Sequence, residues 1–176
     1  MGVFSDLLEG MDIAARSPDG KIQWELRDGK EVNFFFVHEK SYESYTEGGL
    51  EYQLTALVHS IWEGHRQAHT AVLREELDHL PEDEYARGDS RDREFYDERS
   101  KVCAQGKSGT GRVSVSSTGT TSWDVSIKDG TIAKLTEEQF LYEVWSAIVA
   151  TRADFGRKMN RLKRNIYRTR IANASK

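Results

Sequence analysis

The sequence predicts an α+β fold of two similar units, each a short helix, a small antiparallel β-hairpin or sheet, and a long C-terminal helix. Three observations predict it. Apolar and polar residues alternate on both sides of a turn twice, over Ile22–Phe36 and over Val113–Ile127, the period of a half-buried strand. A long apolar stripe at three- and four-residue steps follows each time. The two halves also match at a nearly constant offset. Gly20-Lys21-Ile22 and Gly111-Arg112-Val113 are 91 positions apart, and Thr46-Glu47 and Thr136-Glu137 are 90 apart. A steady offset across helix, hairpin and helix predicts an internal duplication.

Each element has its own signal. Residues 3–15 read as a short helix with Val3, Phe4, Leu7, Leu8 and Met11 on one face, stopped by Ser17-Pro18-Asp19-Gly20. Ile22, Trp24 and Leu26 alternate, Asp28-Gly29 turns the chain, and Val32, Phe34 and Phe36 return. A Tyr-rich loop, Ser41–Gly49, leads to a long helix from about Leu50, with Leu50, Leu54, Leu57, Val58 and Ile61 on its stripe and Pro81 as its end. The charged stretch Glu82–Lys101 reads as a connector running into a second short helix near Phe95–Ala104. Val113 and Val115, a turn at Thr118–Thr121, and Trp123, Val125 and Ile127 form the second hairpin. Thr136 and Gln139 suit a capping box. The stripe Phe140, Val144, Ile148, Thr151, Phe155, Met159, Leu162 and Ile166 then predicts an unbroken helix, roughly 50 Å long. The expected domains are 1–81, a connector at 82–93, and 94–176.

Charge is unevenly spread. The net charge is −4, yet residues 152–176 carry nine Lys and Arg against Asp154 alone, a net of +8. The remainder is therefore −12: an acidic body with a basic tail. Cys103 is the single cysteine, which excludes an intramolecular disulfide and a CxxC metal site. No apolar run is long enough to span a bilayer, and the N-terminus lacks the pattern of a secretory signal. The expected setting is cytoplasmic.

The order of short helix, hairpin with a turn glycine and long helix is similar to the YbaB/EbfC family of nucleoid-associated proteins. The second unit is nearer to the EspL-type members found in mycobacterial type VII (ESX) secretion loci. It does so through Gly111-Arg112-Val113-Ser114-Val115, Ser122-Trp123-Asp124-Val125-Ser126-Ile127-Lys128-Asp129-Gly130 and Lys134-Leu135. The resemblance implies two YbaB-like units, no enzymatic activity and no cofactor. It also implies a pseudo-dimer formed within one chain, leaving a monomer, because a tandem copy supplies in cis the partner that a single unit finds in another chain.

The candidate binding residues are Arg157, Lys158, Arg161, Lys163, Arg164, Arg168 and Arg170. Arg157, Arg161, Arg164 and Arg168 follow the helical repeat, so they share one face. Such a row suits DNA phosphates, an acidic protein surface, or simply a solvated helix end whose charges favour the C-terminus. Other motifs carry less. His65 and His69 are four apart on a helix, but a metal needs a third ligand. Gln105-Gly106-Lys107-Ser108 lacks the glycine spacing of a phosphate-binding loop and has no strand signal before it. Tyr85-Ala86-Arg87-Gly88-Asp89 contains the YxxxD string of type VII secretion signals, while Trp62-Glu63-Gly64 lies inside a helical pattern rather than at a turn. Trp24, Trp62, Trp123 and Trp145 read as core or interface rather than as the lining of a ligand pocket. No paired acid and base or activated nucleophile is evident, so an enzyme is not expected.

Overall fold

The computed structural model describes residues 12–28, 31–77, 88–119 and 121–168. Among the described residues the fold is α+β, with two three-stranded antiparallel sheets and three helices. Strands β1 (Ile13–Arg16), β2 (Ile22–Arg27) and β3 (Glu31–Phe36) form the first sheet in that order. A single 3-10 turn at Tyr42–Ser44 leads to helix α1 (Glu47–Leu77), 31 residues long. Helix α2 (Ser90–Ser100) precedes β4 (Cys103–Lys107), β5 (Val113–Thr118) and β6 (Ser122–Ile127), which form the second sheet. Helix α3 (Glu137–Arg168), 32 residues, closes the described chain.

Two expectations are corrected here. Ile13–Arg16 is a strand rather than the end of a short helix, and residues 3–11 lie outside the described residues. The second short helix spans Ser90–Ser100, and Cys103 and Ala104 already belong to β4. Each hairpin is therefore widened by an outer strand. Both outer strands are short and carry small residues, IAAR and CAQGK, which leaves little alternation to read. Gly106 and Lys107 themselves belong to β4, and Ser108 turns directly into antiparallel β5, so no helix N-terminus follows it.

The two sheets share one register. Ile13 pairs with Leu26 and Ala104 with Ser117; Ala15 pairs with Trp24 and Gly106 with Val115; Ile22 pairs with Phe36 and Val113 with Ile127. Every such pair of partners lies 91 positions from its counterpart. One continuous core joins the halves, with Ile22, Trp24, Leu50 and Leu54 from the first and Val113, Val115, Phe140 and Val144 from the second. Trp62 and Trp123 bring the halves together, with ring centroids 5.6 Å apart.

Each long helix packs on the outer strand of its own sheet, α1 on β1 and α3 on β4. α3 lies so close that a Cβ on Gly106 would stand 2.3 Å from the Thr151 nitrogen and 2.4 Å from the Ala147 oxygen. Glycine at 106 is what allows that approach. Thr151, fully buried, donates to the carbonyls of Val115 and Ala147 at 3.0 and 2.8 Å. The start of α3 is capped as expected: Thr136 N–H donates to Gln139 Oε1 at 3.0 Å, and Gln139 N–H to Thr136 Oγ1 at 3.3 Å. Buried Glu143 accepts from the Thr110 hydroxyl at 2.5 Å, tying α3 to the β4–β5 turn. Burial alone would raise this carboxyl, but hydrogen bonds from Ser108 and Thr110 and the charge of Arg112 hold it below the ordinary range.

Candidate nucleic-acid interface

The basic end of α3 is helical throughout the described residues, and Gly156 does not interrupt it. One glycine in a helix interior costs about 1 kcal/mol, which the flanking turns absorb. Arg157, Lys158, Arg161, Lys163 and Arg164 are all exposed. Arg168 ends the helix, and Arg170 lies outside the described residues.

Their surroundings divide them. Asp154 binds two of the cations, with Lys158 Nζ at 2.7 Å and Arg157 Nη2 at 3.2 Å. It also accepts from Gln105 N–H at 3.1 Å. The Lys158 hydrogen bond, then the Gln105 amide, hold the Asp154 carboxyl below its ordinary range. Lys158 further donates to the Cys103 carbonyl at 2.8 Å. Asp154 thus anchors the helix to β4 and occupies part of the row. Arg161 and Arg164 form no ion pair among the described residues. Asp154 stood in the sequence as the lone acid of the tail, four residues before Lys158, and that spacing was the available signal.

The apolar side of this helix end is not bare. Helix α2 lies along it. Asp89 caps α2 in a capping box with Asp92. Phe95 is buried, with the Tyr167 ring 5.8 Å away and Lys163 Nζ 5.9 Å above its own ring. Tyr167 donates to Asp92 at 2.8 Å; burial, then this hydrogen bond, push its hydroxyl up to about 12. The Phe155, Met159, Leu162 and Ile166 stripe is accordingly half-buried, because α2 covers apolar surface that the cations alone could not shield.

A second feature was not legible in the sequence. An open crevice of about 340 Å³ runs between Val32 and Phe34 of β3 and Leu141, Tyr142 and Trp145 of α3, with Glu137 and Glu138 at the end where α3 begins. It exists only because folding sets the first sheet beside the second long helix.

Trp24 is buried in the core, and Trp62, Trp123 and Trp145 are half-buried. His65 stacks on Trp62. Among the described residues no group of three His, Cys, Asp or Glu could hold a metal ion. Gly88 and Asp89 precede α2, while Tyr85–Arg87 lie outside the described residues. No described helix is long and apolar enough to cross a membrane. Compared with known proteins, the chain matches no family model, no curated protein and no solved structure.

Proposed function

We propose that this chain is a non-enzymatic, cytoplasmic, nucleoid-associated protein of the YbaB/EbfC kind that contacts DNA through the basic end of α3. The observation that carries this reading is the exposed run Arg161, Lys163 and Arg164 beside Arg157, on a helix fixed to its own sheet by Asp154 and Lys158. A fixed cationic face can follow a phosphate backbone without ordering itself first. The shared register of the two sheets supports a duplicated YbaB-like unit. The common core supports a pseudo-dimer within one chain, and hence a monomer near 20.1 kDa in light scattering.

The test is a gel shift with random duplex at low and moderate salt. Binding should weaken steeply with salt, by about 0.9 in log K per log salt for each phosphate contact. Converting Arg157, Arg161, Arg164 and Arg168 together to Glu should abolish the shift with folding intact, since substitutions at the exposed Arg157, Arg161 and Arg164 typically cost within about 0.5 kcal/mol each. A shift that persists in that variant would overturn the assignment.

A second reading makes the chain a protein-binding accessory or chaperone of a type VII secretion locus. The favouring observation is that the side of α3 next to the row already takes protein: α2, with Asp92 on Tyr167, docks there. That reading expects no DNA shift, and co-purification with a secreted partner from the same locus.

A further inference from the structure

β3 and β6 each form one edge of their sheets, opposite β1 and β4, and an unpaired edge presents a row of unused N–H and C=O groups. At β6 the edge is closed. Val125 N–H donates to Thr55 Oγ1 at 3.0 Å and Ile127 N–H to Glu51 Oε1 at 2.7 Å, both acceptors standing on α1. The matching edge amides of β3 belong to Phe34 and Phe36. Val37 N–H points inward, to the Lys21 carbonyl at 2.8 Å, so by strand alternation those of Phe36 and Phe34 point outward. Facing them, α3 carries Leu141 and Trp145, where α1 carries Glu51 and Thr55. Leucine has no acceptor, and indole only donates. No side chain among the described residues accepts from Phe34 or Phe36 N–H.

The crevice beside this edge is apolar on both walls, and Val32 remains 36% exposed. Its charge has one sign. Glu137 and Glu138 stand at one end, and burial together with the carboxylate of Glu43 lifts the Glu137 carboxyl above its ordinary range. A ligand that satisfies all three features offers backbone carbonyls to the edge, apolar side chains at alternate positions, and a cation.

We propose that β3 and the Leu141/Trp145 face of α3 form a docking groove for an extended protein segment bearing alternating apolar residues and a lysine or arginine. The segment adds a fourth strand to the first sheet, taking affinity from main-chain hydrogen bonds and selectivity from the crevice. This goes beyond the DNA reading and does not depend on it, because the cationic row lies at the other end of α3.

The experiment is selection on the full chain from a displayed library of random hexapeptides, matched to the 6 residues of β3. Selected peptides should alternate apolar residues and carry Lys or Arg. Their affinity should fall about tenfold or more for the double variant Leu141→Glu/Trp145→Thr, which places on α3 the acceptors that close β6. DNA binding by that variant should be unchanged. Should it fail to fold, Glu137→Lys/Glu138→Lys provides the second arm, where selection should turn from basic to acidic peptides. Absence of any consensus, selection of acidic peptides by the native chain, or equal binding to the variants would overturn the proposal. So would a doubling of mass that blocks the groove, since the occupant would then be a second copy.

Discussion

The seam between α1 and β6 and the seam between α3 and β3 are built from matching positions and end in opposite states. α1 meets β6 and the loop that follows it with Glu47, Glu51 and Thr55, each accepting from a backbone amide: Ile132 at 3.3 Å, Ile127 at 2.7 Å and Val125 at 3.0 Å. Ninety positions on, α3 carries Glu137, Leu141 and Trp145, and all three line a crevice. The two carboxylates record the difference. Hydrogen bonds from its own amide and from Ile132, Gly130 and Thr131 hold Glu47 below the ordinary range. Burial and Glu43 push Glu137 above it. Backbone architecture alone therefore does not decide whether a sheet edge is sealed; two side chains on the facing helix do.

The seating of α3 on β4 gives a first large test. Gly106→Ala places a methyl against the backbone of α3 and should cost about 3 kcal/mol, the upper end for overpacking. The converse change at the matching position of β1, Ala15→Gly, should cost no more than about 1 kcal/mol. Denaturant unfolding of both variants checks the asymmetry.

Opening the closed seam should come next. Glu51→Leu combined with Thr55→Val leaves the amides of Val125 and Ile127 without acceptors, at about 1–3 kcal/mol for each orphaned donor. The same measurement reads it, and a loss below about 0.5 kcal/mol would mean that water replaces the clasp.

The pH dependence should differ in sign between the seams. Glu47 has a depressed folded pKa, so its contribution is present above the unfolded value of about 4.3 and is lost as pH falls through the folded value. Glu47→Gln should therefore lower Tm at neutral pH, with the difference vanishing in acid. Glu137 has a raised folded pKa, so its ionisation opposes folding above that value and the penalty disappears below about 4.3. Glu137→Gln should raise Tm at neutral pH and change nothing in acid. Thermal melts from pH 3 to pH 8 distinguish these curves.

Tyr52 and Tyr142, at matching helix positions, are 66% and 70% exposed. Replacing either with Ser should stay within about 0.5 kcal/mol, which makes them controls for the larger effects.

Much of the fold could be read from residue pattern. The inner hairpins announced themselves by alternation at Ile22/Trp24 and Val113/Val115, and the start of α3 by Thr136 and Gln139, whose side chains do exchange hydrogen bonds. β1 and β4 could not, because Ala14-Ala15 and Ala104-Gln105-Gly106 carry small residues and become strands only by pairing with β2 and β5. The cationic row was legible as a spacing of arginines. Its partial occupation by Asp154 and the cover that α2 gives the apolar stripe beside it were not, since both depend on where β4 and Phe95 come to lie. The crevice was invisible for the same reason: Val32 and Trp145 are distant in sequence and meet only across the interface of the two halves.

Residue-resolved amide hydrogen exchange on the native chain tests the central claim most directly. Val125 and Ile127, clasped by α1, should exchange slowly, while Phe34 and Phe36 should exchange about tenfold or more faster, as edge amides open to solvent do. Equal protection at the four amides would contradict the account, because the β3 edge would then be sealed as firmly as β6.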